Sequence, residues 1–407
     1  MQVFKVGGAV RDRLLGRAVK DIDWVVVGTT VEHMQSLGFI QVGKDFPVFL
    51  HPKTKQEYAL ARTERKTGKG YTGFEVYAAA DVSLEQDLSR RDLTINAMAE
   101  DEQGNIIDPF NGQQDLDNRL LRHVSPAFSE DPVRILRIAR FAARYDFQIA
   151  PETMELMQEM VKNGEVDALV AERVWQEAER ALGEAYPQRF IEVLRQCGAL
   201  AVIFPEVEQL FGVPQRADYH PEVDTGIHLL LCLQQARRLT SDTQVIFAVL
   251  VHDLGKGNTP SDILPRHLGH EERGLDLLVP ICKRLRIPKQ YKELAKFVVQ
   301  FHTHCHRIAD LRPNTALNVL EVMDAFRRPQ RFEQFLLACE ADARGRKGLE
   351  HQPYPQAARF RRIFEAAQQV NVATIIADGF TGSQIKEQLH QRRIHAIKHL
   401  LHNHGDE

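Results

Sequence analysis

Apolar and polar positions change rhythm about a third of the way along the chain. Up to about residue 100 the apolar residues come in short runs bounded by turn formers, and residues 3–6, 22–27, 46–50 and 57–61 each predict a strand. Helical spacing follows the first two, over 9–15 and 30–37. Glycine and lysine dominate 66–73, which predicts a mobile loop. From about Asp131 onward the apolar residues recur at three and four, and strand-like alternation is rare. Pro205, Gly212, Pro214 and Pro221 predict a linker, a second helical region begins near Thr225, and the Gly-, Pro- and charge-rich stretch 344–355 predicts another boundary. The pattern predicts an α/β head followed by all-helical domains.

Composition narrows the class. A chain of 407 residues is too long for one core, so two to four domains are expected. The hydrophobic content of 43% and charged content of 26% are those of a soluble globular protein. No run of about 18 apolar residues predicts a membrane span, and the amino terminus enters a strand pattern without the regions of a signal peptide. The five cysteines, Cys197, Cys232, Cys282, Cys305 and Cys339, are odd in number and form no Cys-x-x-Cys pair. That fits a reducing cytoplasm and argues against a disulfide framework or a thiolate zinc site. The formal net charge of −3 means that any nucleic-acid surface must be local.

Two groups of residues carry chemistry. In the first, Gly7-Gly8-Ala9-Val10-Arg11-Asp12 precedes Asp21-Ile22-Asp23. A Gly-Gly turn after a strand lets backbone N–H groups approach a triphosphate, and the following helix offers its positive end. Arg11 can pair with a phosphate. On a strand, Asp21 and Asp23 point to one face and can hold hard cations together, which would activate a 3′-hydroxyl and neutralise leaving pyrophosphate. As plain structure, the same residues are a tight turn and two solvated aspartates. The stretch Arg90-Arg91-Asp92-Leu93-Thr94-Ile95-Asn96-Ala97 follows, where Asp92 can also be read as a helix cap. Then Glu130-Asp131-Pro132-Val133-Arg134 opens a helix with Arg134, Arg137, Arg140 and Arg144 inside about 120° of arc. That face suits phosphates, although a solvated face would look the same.

In the second group, His252-Asp253 ends an apolar helix, with His228 upstream and His267, His270, His302, His304, His306 and Asp342 downstream. Imidazole and carboxylate donors without thiolate suit manganese, nickel, cobalt, iron or magnesium.

The first set, in this order and spacing, resembles the class II CCA-adding enzymes of the polymerase-β-like nucleotidyltransferases over roughly the first 200 residues. The resemblance implies that Asp21 and Asp23 bind catalytic magnesium and that Gly8, Arg11 and Arg91 hold the nucleotide's phosphates and sugar. It also implies that Asp131 and Arg134 read the base edge of CTP or ATP in place of a template, with Arg137 and Arg140 in the same pocket, and that tRNA is the acceptor. Segment 66–73 matches the place of the family's flexible loop.

The second set resembles the HD phosphohydrolase domain over about 225–345. That implies one or two divalent ions, such as nickel, manganese or cobalt, held by His228, His252, Asp253 and Asp342, with His270 and His302 competing with neighbouring histidines. In this company an HD domain implies hydrolysis of 2′,3′-cyclic phosphate, 2′-nucleotide and phosphate substrates. The implied domains are a nucleotidyltransferase head at 1–130, a helical neck at 131–215, an HD domain at 216–345 and a helical tail at 346–407. The chain would work as a monomer or homodimer, without a membrane. A bacterial poly(A) polymerase shares the head motifs but usually lacks the HD ligands. Alarmone synthetase/hydrolases place the HD domain first, and a non-catalytic RNA-binding relic would have lost carboxylates that are all present here.

Overall fold

The computed structural model describes residues 1–19, 21–42, 47–66 and 74–403, with side chains set aside at 64–66, 74–76 and 403. It divides into two compact units, 1–203 and 204–407.

The first unit opens with β1 (Gln2–Val6), β2 (Asp23–Val27), β3 (Ile40–Val42), β4 (Val48–Leu50), β5 (Glu57–Leu60), β6 (Thr63–Lys66), β7 (Phe74–Tyr77), β8 (Ala99–Glu100) and β9 (Ile106–Ile107). Seven of them form a mixed sheet in the order β3-β4-β5-β2-β1-β8-β9, and β6 pairs with β7 separately. The two sides of the sheet bury different apolar sets. Phe4, Val6 and Val25 pack with Leu88, Ala97 and Ala99, whereas Val26, Met34, Phe49 and Leu60 cluster together. This alternation is the period of two that half-buried strands require. The expected helices form at Gly8–Leu14 and Val31–Ser36, the second capped by the Thr30 hydroxyl, which accepts from His33 N. The expected strand at 46–50 is realised from Val48, and Phe46 lies outside the described residues. Of the expected loop at 66–73, Lys66 ends β6 and the remainder lies outside the described residues.

Helices complete the first unit, chief among them Val133–Tyr145, Ala171–Leu182 and Pro187–Gln196. Ile135, Ile138, Ala139 and Ala142 are fully buried on the first of these, opposite its arginines.

The second unit is helical. Its centre is Thr243–Val251, in which Val245 to Val251 are all buried, surrounded by Thr225–Leu239, His270–Arg284, Lys289–His306 and Pro329–Arg344. The proline-rich stretch that predicts a linker is tied into this unit. Gly212 N donates to Asp224 Oδ2 at 2.7 Å, Gln215 N to Val223 O at 2.7 Å and Thr225 N to Val213 O at 3.1 Å. Pro205 opens a short helix and the later prolines interrupt regular structure without freeing the chain, because the backbone between them finds partners.

Candidate functional site

Strand β1 ends at Val6, which pairs with Asp23 across the sheet, so the turn after β1 lies beside that carboxylate. Gly7 takes φ +65°, and a Cβ there would stand 2.9 Å from Arg91 Nη1. Only glycine permits both the left-handed backbone and the close arginine. Gly7, Gly8, Asp23 and Arg91 line a cavity of about 570 Å3 whose walls carry eight arginines and four carboxylates. Asp21 is exposed just ahead of β2, whose first residue is Asp23.

The arginine face of Val133–Tyr145 points into this cavity, and each arginine is held. Arg137 donates to Asp92 Oδ2 through Nε at 2.8 Å, and its Nη2 lies 2.7 Å from the same oxygen. Arg140 Nε meets Glu177 Oε2 at 2.6 Å, and Arg144 Nη2 meets Asp12 Oδ2 at 3.1 Å. Arg134 reaches the carbonyls of Ala127 and Arg90 at 2.8 and 2.7 Å. Arg134 N donates to the Asp131 carbonyl at 3.0 Å, while the Asp131 carboxylate has other partners. It is gripped by the fork of Arg173, at 2.9 and 3.3 Å, and accepts from Val133 N. Arg11 is buried between the rings of Phe141 and Tyr145 and bonds Asp12 and Asn96. Arg91 reaches Asp87, while its Nε is buried without a hydrogen-bond partner among the described residues.

Asp92 is more than a helix cap. It accepts from Leu93 N, Asn96 Nδ2 and Arg137. Burial raises its pKa, but Arg137, Asn96 and Arg134 together outweigh that and hold it well below the usual carboxylate value. Burial and the bond to Asp12 push the Tyr145 phenol up to about 12 against the neighbouring arginines, so it remains a donor. Arg173 and Glu177 were not singled out in the sequence. Arg173 and Glu177 stand four residues apart on one helix, a spacing also shared by countless surface pairs.

In the second unit, helix Thr243–Val251 delivers His252 and Asp253 at its end. His228, His270, His302 and Asp342 come from the four surrounding helices, and all six residues are buried. Each histidine fixes its tautomer through Nδ1, which lies within hydrogen-bond distance of a carbonyl. These are Gly345 O at 3.2 Å, Val249 O at 2.7 Å, His267 O at 2.9 Å and Val298 O at 2.9 Å, for His228, His252, His270 and His302 respectively. A carbonyl only accepts, so Nδ1 carries the hydrogen and Nε2 presents its lone pair inward.

The donors form two sets. His228 Nε2 lies 3.0 Å from Asp342 Oδ1, and His252 Nε2 lies 3.2 Å from Asp253 Oδ2. His270 and His302 Nε2 face each other at 3.2 Å, each 3.6 Å from Asp253 Oδ1. His252 Nε2 and both Asp253 oxygens lack a sound hydrogen bond among the described residues, although Lys256 Nζ approaches Oδ2 to 2.6 Å. Burial pushes the His302 imidazole down to about 3 and keeps it neutral. Around His252, burial opposes charge, but Asp253 and Asp342 prevail and raise its pKa. Facing lone pairs and orphaned buried donors in a negative field fit divalent cations. His267 instead contacts Thr259 and Pro214, His304 packs edge-on against Phe301, and His306 contacts Asp342 Oδ2 at 2.7 Å.

Comparison with known proteins finds three family models along the chain. The family model described as Poly A polymerase head domain matches residues 3–122, one described as a probable RNA and SrmB-binding site of polymerase A matches 146–211, and the HD domain matches 225–328. A multifunctional CCA protein of Nitrosococcus oceani is 63% identical, with 99% of each chain covered. One of Thioalkalivibrio sulfidiphilus is 61% identical, with 98% of each covered. Among solved structures, a CCA-adding enzyme with ATP is similar in fold at TM-score 0.67 and 20% identity, covering 97% of this chain and 86% of that one. The Thermotoga maritima CCA-adding enzyme complexed with tRNA is similar at 0.64 and 18%, covering 99% and 91%. At full-length identity of this order the chain belongs to the multifunctional CCA protein family.

Proposed function

We propose that this protein adds and repairs the 3′-terminal CCA of tRNA from CTP and ATP without a template, releasing pyrophosphate. Its second unit hydrolyses 2′,3′-cyclic phosphate, 2′-nucleotide and phosphate ester substrates. The observation that carries the first activity is the arginine-walled cavity at the Gly7-Gly8 turn, closed on one side by Asp23. Asp21 and Asp23 hold magnesium, which when bound activates the terminal 3′-hydroxyl and neutralises the leaving pyrophosphate. Gly8 brings backbone to the phosphates, and the orphaned Arg91 Nε supplies a buried N–H for a phosphate or sugar oxygen. Arg11 works beside it, held in place by Asp12 and Asn96.

Asp131 and Arg134 are locked by Arg173 and by two carbonyls, so they offer fixed edges to the base. The carboxylate accepts from the exocyclic amine of cytosine or adenine, the guanidinium donates to ring acceptors, and uracil lacks that amine. Arg137 and Arg140, tied to Asp92 and Glu177, complete the same wall. In the second unit His228, His252, Asp253, His270, His302 and Asp342 hold the divalent metal, with nickel, manganese or cobalt the fitting ions. Held there, such an ion would supply an activated water for attack on a phosphate ester. Lys256, beside Asp253, adds positive charge for the ester's anion. The protein acts in the cytoplasm, as a monomer or homodimer. Among the described residues no helix is long and apolar enough to cross a membrane.

The test is incorporation from mixed CTP and ATP, with magnesium, onto tRNA lacking its last three residues. Addition that stops after C, C and A supports the proposal, and a long adenosine tail would move the chain to the poly(A) polymerases. Asp23→Ala should abolish addition and spare ester hydrolysis, Asp253→Ala should do the reverse, and loss of both activities in either variant would argue against independent sites.

A further inference from the structure

The second unit holds a cavity of about 440 Å3 that none of the metal donors lines. Among the described residues its walls carry Arg327, Arg328 and Arg331, with four glutamines and no carboxylate. The acids that meet these arginines are too few to neutralise them. Glu293 lies 2.6 Å from Arg331, 3.5 Å from Lys289 and 3.8 Å from Arg328. Asp324 lies 3.7 Å from Arg327 and 3.6 Å from Arg328, so four cations share two carboxylates. Asp242, beside the glutamines, is already engaged and accepts from Gln244 N and Gln334 Nε2. Every ion pair of Arg327 and Arg328 is longer than a hydrogen bond, and their side chains are 82% and 56% exposed. Both guanidiniums therefore keep N–H groups for a ligand. Arg331 is fixed instead, because Nη2 donates to Glu293 and the guanidinium stands over the Phe297 ring.

Three helices begin at this cavity. Gln244, Gln290 and Gln330 are each the second residue of theirs, in Thr243–Val251, Lys289–His306 and Pro329–Arg344. Their positive ends add to the field of the arginines. The metal donors His252, His302 and Asp342 come toward the opposite ends of the same helices. From Gln290 to His302, and from Gln330 to Asp342, the axial distance is about 18 Å. The cavity is thus separate from the hydrolase centre.

We propose that this cavity binds the phosphate of a free nucleotide. Arg327 and Arg328 pair with the phosphate oxygens, and Arg331 supplies a fixed charge. Glutamine amides both donate and accept, which suits ribose hydroxyls and a base edge. The volume is that of a small-molecule pocket, whereas a run of RNA backbone calls for a cationic groove that tracks it. The inference stands apart from the activities proposed for the two units, since neither needs a nucleotide at this end of the bundle.

The experiment follows amide hydrogen exchange in the full chain with adenosine 5′-phosphorothioate, a phosphatase-resistant nucleotide, and with adenosine as control. Protection is read peptide by peptide, so nucleotide bound in the first unit does not confuse the result. The nucleotide should slow exchange in 288–294 and 324–335, and adenosine should not. Arg327→Glu combined with Arg328→Glu, both at exposed positions, should raise the apparent Kd by about 10- to 100-fold. Arg327→Lys with Arg328→Lys keeps both charges and should stay within about threefold of the parent chain. Unchanged exchange elsewhere in the second unit shows that these variants are folded, and the parent chain decides the question even if one is not. Protection confined to other segments would overturn the proposal. Equal protection by adenosine, or an unchanged Kd in the folded glutamate variant, would overturn it too. If tRNA lacking its last three residues protects these peptides and the nucleotide does not, the proposal also fails, and the arginines belong to RNA backbone.

Discussion

Asp92→Asn tests whether the nucleotide pocket is held by its internal ion pairs. Asp92 is nearly buried, with 7% of its side chain exposed, and Arg137 presents 35% of its own. Asparagine keeps the shape and, with its oxygen on Leu93 N, turns its NH2 toward Arg137, so that both the charge and the acceptor facing the guanidinium are lost. Leaving one partner of a buried pair uncompensated costs about 3–5 kcal/mol, and the water that reaches Arg137 reduces this to about 2 kcal/mol. Both tryptophans, Trp24 and Trp175, lie in the first unit, so intrinsic fluorescence reports the unfolding of that unit. With an m-value of about 2 kcal/mol/M, the urea midpoint at pH 7 should fall by about 1 M.

The pH dependence gives a second check. The folded pKa of Asp92 is depressed, so its contribution is complete above the unfolded value of about 3.9 and is lost as pH falls toward the folded value. The gap between wild type and variant should therefore narrow below pH 4 by about 1.4 kcal/mol per unit. A midpoint unchanged at pH 7, or a gap that persists undiminished in acid, would refute the reasoning.

Three further outcomes follow from the geometry. Arg173→Ala releases the fork on Asp131 and should lower kcat/KM for CTP and ATP alike by about 10- to 100-fold, with cyclic phosphate hydrolysis unchanged; wild-type addition kinetics would show that the grip is idle. In Gly255→Ala the new Cβ would stand 2.0 Å from His270 O and 2.6 Å from Gly274 N, so the backbone must part and carry His270 off Asp253. Phosphohydrolase activity should collapse while CCA addition survives, and retained hydrolysis would mean that the helix yields without disturbing the ligands. All five cysteines are buried, and burial pushes the Cys197 and Cys282 thiols up to about 11. A disulfide reagent should leave all of them unmodified in the folded protein and titrate every one in denaturant, and prompt native labelling would contradict that burial.

Much of the fold was legible because its elements are long or strongly patterned. The short apolar runs of β1 and β2, the Gly-Gly turn and the apolar run ending at His252 each carry a local signal. Strands β8 and β9, at two residues each, are too short to have a period, and they exist because the sheet edge beside β1 offers partners. The stretch 205–221 follows directly on the boundary between the two units, but it is packed rather than free. Proline and glycine mark where regular structure stops, but the hydrogen bonds of Gly212 and Gln215 decide that the stretch stays packed.

The pocket shows where sequence reading loses its reach. The arginine face of Val133–Tyr145 follows from 100° per residue, because those four side chains share one helix. Their partners do not share it. Asp92 lies 45 residues from Arg137, Glu177 lies 37 from Arg140, and Asp12 lies 132 from Arg144, so no local rule pairs them. The pairing changes what the face can do. Four unpaired arginines would form a flexible anion trap that binds any triphosphate. Arginines tied to carboxylates from three other segments are held in place, with charge left over for phosphates and fixed N–H directions for a base. Selecting C or A without a template requires the second condition, since a mobile guanidinium would adapt its hydrogen bonds to uracil or guanine as readily. On the proposed function, the buried carboxylates Asp92, Asp12 and Glu177 would act on specificity through the arginines they hold. Weakening any one of them should loosen the choice among nucleotides before it stops the chemistry.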